Sequence, residues 1–348
     1  MILVFALAGG IWAAGWAVDL PRQARAFLIA LLLLAVIALH VVLPDGHPLR
    51  ESTGGEAALW VFLMMGGLLV WGYATILGKV RSRASGAPSF HYEPPADAGP
   101  FSSTELDRYA RHIVLRELGG AGQADLKAAK VLVVGAGGLG SPALQYLAAA
   151  GVGTLGIIDD DVVENANLQR QIIHIDARIG MPKVHSAAEA IRDQNPFVTV
   201  RPYHRRLTQD IARDLIDDYD LVLDGSDNFA TRYLINATCV AAGKPLIAAA
   251  LTQWEGQISV YDPAQGGPCY QCLFPEAPDP SLVPSCAEGG VLGPLPGVVG
   301  ALMAVEAVKA ISGAGEGLRG RLFIYDALYG ETRIVSTKRR ADCPVCGG

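Results

Sequence analysis

Residues 131–140 have the sequence VLVVGAGGLG, and this stretch decides the fold. Val131 to Val134 form a short, β-branched apolar run, a pattern typical of a buried parallel strand. The glycines that follow match G-x-G-x-x-G. Because glycine lets the backbone approach a phosphate closely, they form a candidate nucleotide-binding loop. The loop glycines are Gly135, Gly137, Gly138 and Gly140.

The residues after this loop strengthen that interpretation. Ser141 and Pro142 suit the first positions of a helix, which the apolar spacing extends to Gly151. A second predicted strand ends in Asp159, nineteen residues after Gly140. This is close to the spacing at which an acid reaches the ribose hydroxyls of a nucleotide. A tight structural turn is the alternative, because G-x-G-x-x-G alone is a weak signal.

The segments beyond Asp159 favour a nucleoside triphosphate over a nicotinamide dinucleotide. Residues 165–171 (NANLQRQ) place amides and a guanidinium just past the acid, and Lys183 follows a proline. A further predicted strand at 221–224 leads into GSDN at 225–228. Cations beside a phosphate loop, together with a spare carboxylate, suit a triphosphate with Mg²⁺, whereas hydride transfer needs none of them.

Together these motifs resemble the MoeB/ThiF family, the bacterial relatives of ubiquitin-activating enzymes. The resemblance covers residues 101–348 and not the first hundred. It implies an ATP-dependent adenylyltransferase that uses Mg²⁺. The residues that carry it are GAGGLG at 135–140, Asp159, NLQRQ at 167–171, the Pro182–Lys183 pair, LDGSDN at 223–228 and EGQI at 255–258.

The resemblance also implies a role for each matching residue. Asp159 would contact the ribose, Asn167, Arg170 and Lys183 the phosphates, and Asp227 the Mg²⁺ ion. The implied nucleotide-binding positions are Gly135, Gly137, Gly138, Gly140, Asp159, Asn167, Gln169, Arg170, Lys183, Asp227 and Asn228.

Two residues outside these motifs also match the family. Arg111, in RYARHIVL at 108–115, matches an arginine that enters the nucleotide site of the partner subunit, so a homodimer is implied; a solvated helix arginine is the alternative. Cys286, in PSCAEGGV at 284–291, matches a cysteine that some members link covalently to the carrier protein; a spectator thiol is the alternative. The implied catalytic set is Arg111, Arg170, Lys183, Asp227 and Cys286.

Six cysteines occur, all after residue 230, and four of them form two C-x-x-C pairs. Two such pairs can place four thiolates on one ion, the closed tetrahedral set of structural Zn²⁺, whereas a single pair could be redox-active or coincidental. The family carries zinc at the matching positions. Cys239 lies in a helical apolar pattern and is predicted to be a small buried hydrophobe. The predicted zinc ligands are Cys269, Cys272, Cys343 and Cys346.

Three apolar runs, at 1–18, 27–43 and 57–77, precede these motifs. Each is near the length of about 20 residues that crosses a bilayer. They predict that residues 1–83 are a membrane anchor with three transmembrane helices, and that residues 84–100, rich in Pro, Gly and Ala, are a linker. Basic residues follow the first and third runs, which predicts an outside N-terminus and a cytoplasmic catalytic domain at the inner membrane. A buried helical hairpin in a soluble core is the alternative.

The order of the elements predicts an α/β fold. Strands at 131–134, 155–158, 198–202, 221–224, 246–249 and 256–261 alternate with helical patterns for the most part. The prediction is a doubly wound, mostly parallel Rossmann-like sheet with a four-cysteine zinc site, preceded by an α-helical transmembrane segment. The formal net charge is −6; residues 1–90 carry +2, which leaves −8 for the rest. An acidic catalytic domain argues against nucleic acid as a partner.

The predicted reaction is the ATP-dependent adenylylation of the C-terminal glycine of a ubiquitin-like sulfur-carrier protein ending in Gly-Gly. The first choice of carrier is the small subunit of molybdopterin synthase, in molybdenum cofactor biosynthesis, and the thiazole (thiamine) carrier of ThiF-like enzymes is the alternative. Two other classes stay open. They are a membrane-tethered scaffold that binds nucleotide without turnover, and an NAD-dependent oxidoreductase.

Overall fold

The computed structural model describes residues 2–18, 20–54, 56–85, 100–278 and 289–347. The chain divides into two compact units, Met1–Glu93 and Pro94–Gly348. Most of the predicted linker, at 86–99, lies outside the described residues.

The first unit is helical wherever it is described. Three of its helices coincide with the three apolar runs, and the short third helix was not predicted. That helix begins at a proline, and the Nδ1 atom of His47 accepts a hydrogen bond from the Leu49 N–H at its start. The four helices are α1 (Ile2–Ala17), α2 (Arg22–Val42), α3 (Pro48–Thr53) and α4 (Ala57–Ser85).

Many large apolar side chains of this unit face outward. A small buried core contains Val4, Val36 and Trp60. The following side chains are each more than half exposed: Phe5, Trp16, Phe27, Phe62 and Leu69. Large apolar side chains exposed in this number are unusual on a surface that meets water alone.

Two helices in the described residues are long and apolar enough to cross a bilayer, Ala24–Val42 and Pro294–Ser312. The first is 11% buried and the second 44%. The second belongs to the core of the other unit. The apolar part of α1, Leu3–Ala17, is shorter than a full span. Length and composition are weak support for a membrane span, so the three-helix topology stays a prediction.

The second unit is built on an eight-stranded sheet in its described part, with the order β3-β2-β1-β4-β5-β6-β7-β8. The strands are β1 (Lys130–Val134), β2 (Thr154–Ile158), β3 (Thr199–Tyr203), β4 (Leu221–Asp224), β5 (Leu246–Leu251), β6 (Glu255–Tyr261), β7 (Arg321–Asp326) and β8 (Glu331–Ser336).

The sheet has a parallel and an antiparallel part. Strands β1 to β5 pair in parallel, as the Rossmann-like prediction requires. Strands β6, β7 and β8 are antiparallel to their neighbours, so the complete sheet is mixed. The reason is local: only residues 252–254 separate β5 from β6, and a connection this short permits antiparallel pairing alone.

Helices cover both faces of the parallel part. The helices of this unit are α5 (Ser103–Ile113), α6 (Gly119–Ala128), α7 (Gly140–Ala150), α8 (Lys183–Gln194), α9 (Gln209–Asp217), α10 (Phe229–Ala242), α11 (Tyr270–Leu273) and α12 (Pro294–Ser312). Successive residues of a strand point to opposite faces of the sheet. Val131 and Val133 therefore pack with α7 and α12, whereas Leu132 and Val134 pack with α9 and α10.

Candidate active site

The parallel register brings three predicted loops to one edge of the sheet. Val134 lies opposite Ile158 of β2 and Asp224 of β4. The carboxyl ends of these strands therefore meet, at the place where open α/β sheets bind their ligands. Gly135 has φ +92°, and a Cβ there would lie 3.0 Å from the Gly225 carbonyl oxygen. The glycine loop and the GSDN loop are thus in direct contact.

The four loop glycines differ in how much space surrounds them. A Cβ at Gly140 would clash with the carbonyl oxygen of Gly135, so Gly140 is needed for the turn itself. Gly137 and Gly138 are partly exposed. A Cβ at Gly137 would meet only the Nε2 atom of Gln171, at 3.7 Å. A Cβ at Gly138 would lie 3.1 Å from Pro296 Cβ, so Gly137 is the glycine that borders the open side of the loop, where a ligand would lie.

Asp159 joins the glycine loop to the end of β2. Its Oδ2 accepts a hydrogen bond from the Ala136 N–H and its Oδ1 one from the Asp161 N–H, each at 2.8 Å. Burial raises the pKa of the Asp159 carboxyl, while the charge of Lys183 and the two N–H groups oppose that rise. Each carboxylate oxygen keeps a second lone pair, so a ribose hydroxyl can still donate to it.

Two predicted cations border the same loop. Lys183 is the first residue of α8 and is 5% exposed, and its Nζ lies 2.7 Å from Asp161 Oδ2. Arg170 donates to the Ala166 carbonyl at 3.0 Å, and its Cγ would lie 3.8 Å from a Cβ at Gly138. Asn167, also predicted, is buried in the preceding turn. The arrangement places positive charge where phosphates would lie.

The remaining predicted ligands have different surroundings. Asp227 is exposed and makes no hydrogen bond or ion pair with any residue the structure describes, so its carboxylate is available to a cation. Asn228 caps α10, its Oδ1 accepting from the Thr231 N–H at 2.9 Å. Gln169 packs against Gly293, just before α12: a Cβ at Gly293 would lie 2.6 Å from its Oε1.

A buried ion pair that the sequence did not indicate supports the GSDN loop. The Oδ1 atom of Asp224 accepts from the backbone N–H and the hydroxyl of Ser226, at 2.9 and 2.6 Å. Arg232 of α10 donates to the Ser226 carbonyl and lies 3.6 Å from Asp224 Oδ2. The loop that presents Asp227 is therefore fixed from its buried side.

Two further residues beside the glycine loop were also missed. His174 is 4% exposed; its Nε2 lies 2.9 Å from the Ala136 carbonyl oxygen and its Nδ1 lies 2.9 Å from Ser186 Oγ. Gln171 is 4% exposed, and its Oε1 has no hydrogen-bond partner among the described residues. Gln171 ends the NLQRQ motif but was given no role, whereas no periodicity or spacing marks His174, because Ala136 lies 38 positions away in the sequence.

The other predicted catalytic residues are not part of this arrangement. Arg111 lies near the end of α5, is exposed, and forms no hydrogen bond or ion pair within the described ranges. Cys286 lies outside the described residues. We call the glycine loop with Asp159, Arg170, Lys183 and Asp227 the nucleotide edge.

The four predicted metal ligands, Cys269, Cys272, Cys343 and Cys346, form a buried group that we call the cysteine cluster. The Sγ distances are 3.9 Å for Cys269–Cys272, 3.6 Å for Cys269–Cys343 and 3.4 Å for Cys272–Cys346. Tetrahedral coordination with Zn–S bonds of about 2.3 Å requires sulfur separations of about 3.8 Å. The donor set and its spacing therefore fit a zinc ion.

The thiols of the cluster differ in their ease of ionisation. Burial raises the pKa of Cys269 and of Cys346, whereas at Cys343 burial is outweighed by hydrogen bonds from the backbone of Cys346 and Val345, which lower its pKa. The Arg340 N–H donates to Cys272 Sγ at 3.4 Å. Backbone donors around the sulfurs are the outer contacts that orient metal-bound cysteines.

Comparison with known proteins agrees with this geometry. The ThiF family model matches residues 109–345. The SAMP-activating enzyme E1 of Haloferax volcanii is 51% identical over 245 residues, 70% of this chain and 90% of that protein. The sulfur carrier protein adenylyltransferase of Thermus thermophilus is 49% identical over 251 residues, 71% of this chain and 93% of that protein.

A solved structure shares the fold. E. coli MccB with AMPCPP and MccA matches with a TM-score of 0.63 at 24% identity, over 71% of this chain and 76% of that chain. At this identity the likeness concerns the fold alone. The family match covers more than half of the chain, and both relatives are matched over at least nine-tenths of their length; this chain therefore belongs to the ThiF family.

Proposed function

We propose that this chain uses ATP to adenylylate the C-terminal glycine of a ubiquitin-like sulfur-carrier protein. The observation that carries the proposal is the nucleotide edge, where a glycine loop, an acid after β2, two cations and a free carboxylate converge. The chain is 49% identical to a protein named sulfur carrier protein adenylyltransferase, which supports the same reaction.

In the proposed reaction, a carboxylate oxygen of the terminal glycine attacks the α-phosphorus of ATP. The new oxygen–phosphorus bond gives an acyl-adenylate. The bond from the α-phosphorus to the bridging oxygen breaks, and pyrophosphate leaves with its electron pair. Two anions must approach each other for this to happen. Charge neutralisation and positioning therefore supply most of the catalysis.

The residues of the nucleotide edge divide this work. Arg170 neutralises phosphate oxygens, and so does Lys183, whose ammonium group exchanges Asp161 for phosphate. Asp227 would hold Mg²⁺, which supplies further positive charge to the leaving pyrophosphate. Asp159 and Asn167 position the nucleotide. The cysteine cluster would hold Zn²⁺ in a closed set of four ligands, which is a structural role.

The preferred carrier is the small subunit of molybdopterin synthase, and the thiazole carrier is the alternative. Purified carriers of each type, offered separately, distinguish the two branches by their relative kcat/KM.

The decisive experiment is ATP–pyrophosphate exchange. We expect exchange only when a Gly-Gly-ending carrier is present, and we expect Arg170→Ala to reduce it at least about a hundredfold, as loss of one charge-stabilising group does. Arg192→Ala, an exposed arginine at the end of α8, is the matched control and should keep full exchange. ATP binding without exchange would instead support the scaffold, and reduction of NAD would support the oxidoreductase.

We also propose that residues 1–83 anchor the enzyme in the inner membrane, with three spans and an outside N-terminus. The outward-facing apolar side chains of α1, α2 and α4 support this placement. Alkaline phosphatase fusions test it: a fusion at Gly46 should be active and one after Arg83 silent. Activity after Arg83 would put the nucleotide edge in the wrong compartment for ATP.

A further inference from the structure

Side chains hold the peptide groups on both sides of Ala136, the second residue of the glycine loop. Its N–H donates to Asp159 Oδ2 at 2.8 Å, and its carbonyl oxygen lies 2.9 Å from His174 Nε2. Ser141 Oγ also approaches that carbonyl, at 3.4 Å. His174 is 38 positions away along the chain, and no other part of the proposed mechanism uses it.

The hydrogen bond from His174 has a consequence on the other side of the same peptide group. In a planar trans peptide the C=O of one residue and the N–H of the next point in opposite directions. Holding the Ala136 carbonyl toward His174 therefore directs the Gly137 N–H away from His174. That N–H has no hydrogen-bond partner in the described part of the chain.

Glycine at position 137 makes such a restraint necessary. A glycine accepts φ of either sign with little penalty, so Gly137 by itself does not fix the orientation of the Ala136–Gly137 peptide. A reversed peptide would present a carbonyl oxygen to the ligand in place of an N–H. That oxygen would repel a phosphate.

The geometry also fixes a hydrogen on Nε2, because a carbonyl oxygen accepts only. Ser186 Oγ, itself fully buried on α8, can donate to a neutral Nδ1 or accept from a protonated one. Burial lowers the pKa of His174 and so favours the neutral imidazole, which keeps its hydrogen on Nε2.

We propose that His174 is a positioning residue of the nucleotide site, which aims the Gly137 N–H at a phosphate by holding the Ala136 carbonyl. This inference rests on the ATP site of the proposed function. It concerns the phosphates alone, because the adenine and ribose do not depend on the orientation of this peptide.

The test measures binding to the full chain of two probes, a non-hydrolysable ATP analogue and adenosine, which lacks phosphates. His174→Phe removes the donor and keeps a ring of similar size. We expect it to lower the affinity for the analogue about tenfold, which corresponds to the loss of one well-oriented hydrogen bond, and to leave the affinity for adenosine unchanged. His174→Gln carries an amide N–H in place of Nε2–H and should recover the affinity to within about threefold.

The controls separate this role from a general packing role. His185→Gln changes an exposed histidine on α8 and should bind both probes as wild type does. If His174→Phe does not fold, His174→Leu replaces it. Leucine also lacks the Nε2–H donor, so the affinity for the analogue alone should fall.

The outcomes also separate this inference from the proposed function. If His174→Phe lowered the affinity for both probes equally, or if His174→Gln did not recover the affinity for the analogue, the role of His174 would be packing alone. Unchanged analogue binding by His174→Phe would overturn the inference and leave the proposed function standing. Failure of the wild-type chain to bind the analogue would overturn both.

Discussion

The nucleotide edge and the cysteine cluster belong to one unit but are prepared for different ligands. At the nucleotide edge, the Gly137 N–H and the Asp227 carboxylate have no partner within the described residues, and Lys183 is held by an exposed acid that it can leave. In the cluster, four buried sulfurs already stand at the separations of one coordination sphere. The first arrangement suits a ligand that arrives and departs, and the second suits one that remains.

This difference implies that the two sites respond differently to substitution. Asp159, Arg170 and Asp227 lie in loops and Lys183 begins α8, and none of these side chains belongs to the apolar core. The cluster joins Cys269, just before α11, and Cys272, within α11, to the C-terminal segment, so it contributes to folding. We expect changes at the edge to alter rate and changes in the cluster to alter stability.

The largest expected effect is on rate. Asp227→Ala should lower ATP–pyrophosphate exchange about a thousandfold, because the proposed Mg²⁺ ligand is lost. The melting temperature should stay unchanged, since Asp227 is exposed. Asp214→Ala, an exposed acid on α9, is the control for both measurements. A fall in melting temperature with Asp227→Ala would remove the distinction between the two sites.

The next effect is on stability. Cys343→Ser should release the zinc, found at one ion per wild-type chain by metal analysis, and lower the unfolding free energy by about 3 kcal/mol or more. Cys239→Ala is the matched control, a buried cysteine on α10 outside the cluster, and it should keep the metal. Unchanged zinc content in Cys343→Ser would refute the site.

A third test asks whether the nucleotide edge is complete within one chain. Arg111 has no partner among the described residues, and the proposed homodimer would place it in the other subunit's site. Mixing Arg111→Ala chains with Arg170→Ala chains should then restore about a quarter of wild-type activity, from one intact site in half of the dimers. No recovery in dimers shown to be mixed would argue that Arg111 acts in its own subunit or not at all.

The smallest effect concerns pH. Burial lowers the pKa of His174 below its ordinary value, and the charges of Lys183 and Arg178 act in the same direction. The unfolded chain therefore binds this proton more readily. Stability is fully present above the unfolded pKa, near 6.5, and falls as the pH drops toward the folded pKa.

His174→Gln removes this titration. Between about pH 7.5 and about pH 5.5, the wild-type melting temperature should fall a few degrees more than that of the variant, since 1 kcal/mol corresponds to about 2–4 °C in a unit of this size. His185→Gln, at an exposed position, should follow the wild type. Parallel curves for wild type and His174→Gln would show that His174 does not carry the pH dependence.

The sequence predicted the parts of this molecule that local pattern controls. The strand before Gly135, the helix that ends at Gly151 and the acid at 159 lie where spacing placed them. The two C-x-x-C pairs meet as predicted, because the spacing within each pair lets both of its thiolates face one ion and two pairs complete a set of four ligands.

The features that escaped prediction depend on contacts between distant residues. His174 becomes significant only when the fold brings it to Ala136, and Arg232 only when α10 folds back on Asp224. Strand β8 was missed because its residues are all exposed and carry a weak apolar signal, whereas β7 was missed although Leu322 to Tyr325 form an apolar run typical of a strand. Asn228 was assigned to the ligand; its Oδ1 caps α10, a role equally open to an asparagine at that position, and its contact with the ligand stays a prediction.

The cysteine cluster also changes the unfolded protein. Cys269 and Cys343 are 74 positions apart, and the segment between them contains α12, β7 and most of the antiparallel part of the sheet. A metal ion that held both would close this segment into a ring. Closing a ring of that length removes on the order of 4 kcal/mol of conformational freedom from the disordered chain. To the extent that the ion stays bound to the unfolded chain, its loss would therefore give the denatured ensemble more conformational freedom, in addition to the loss of metal-binding free energy on folding.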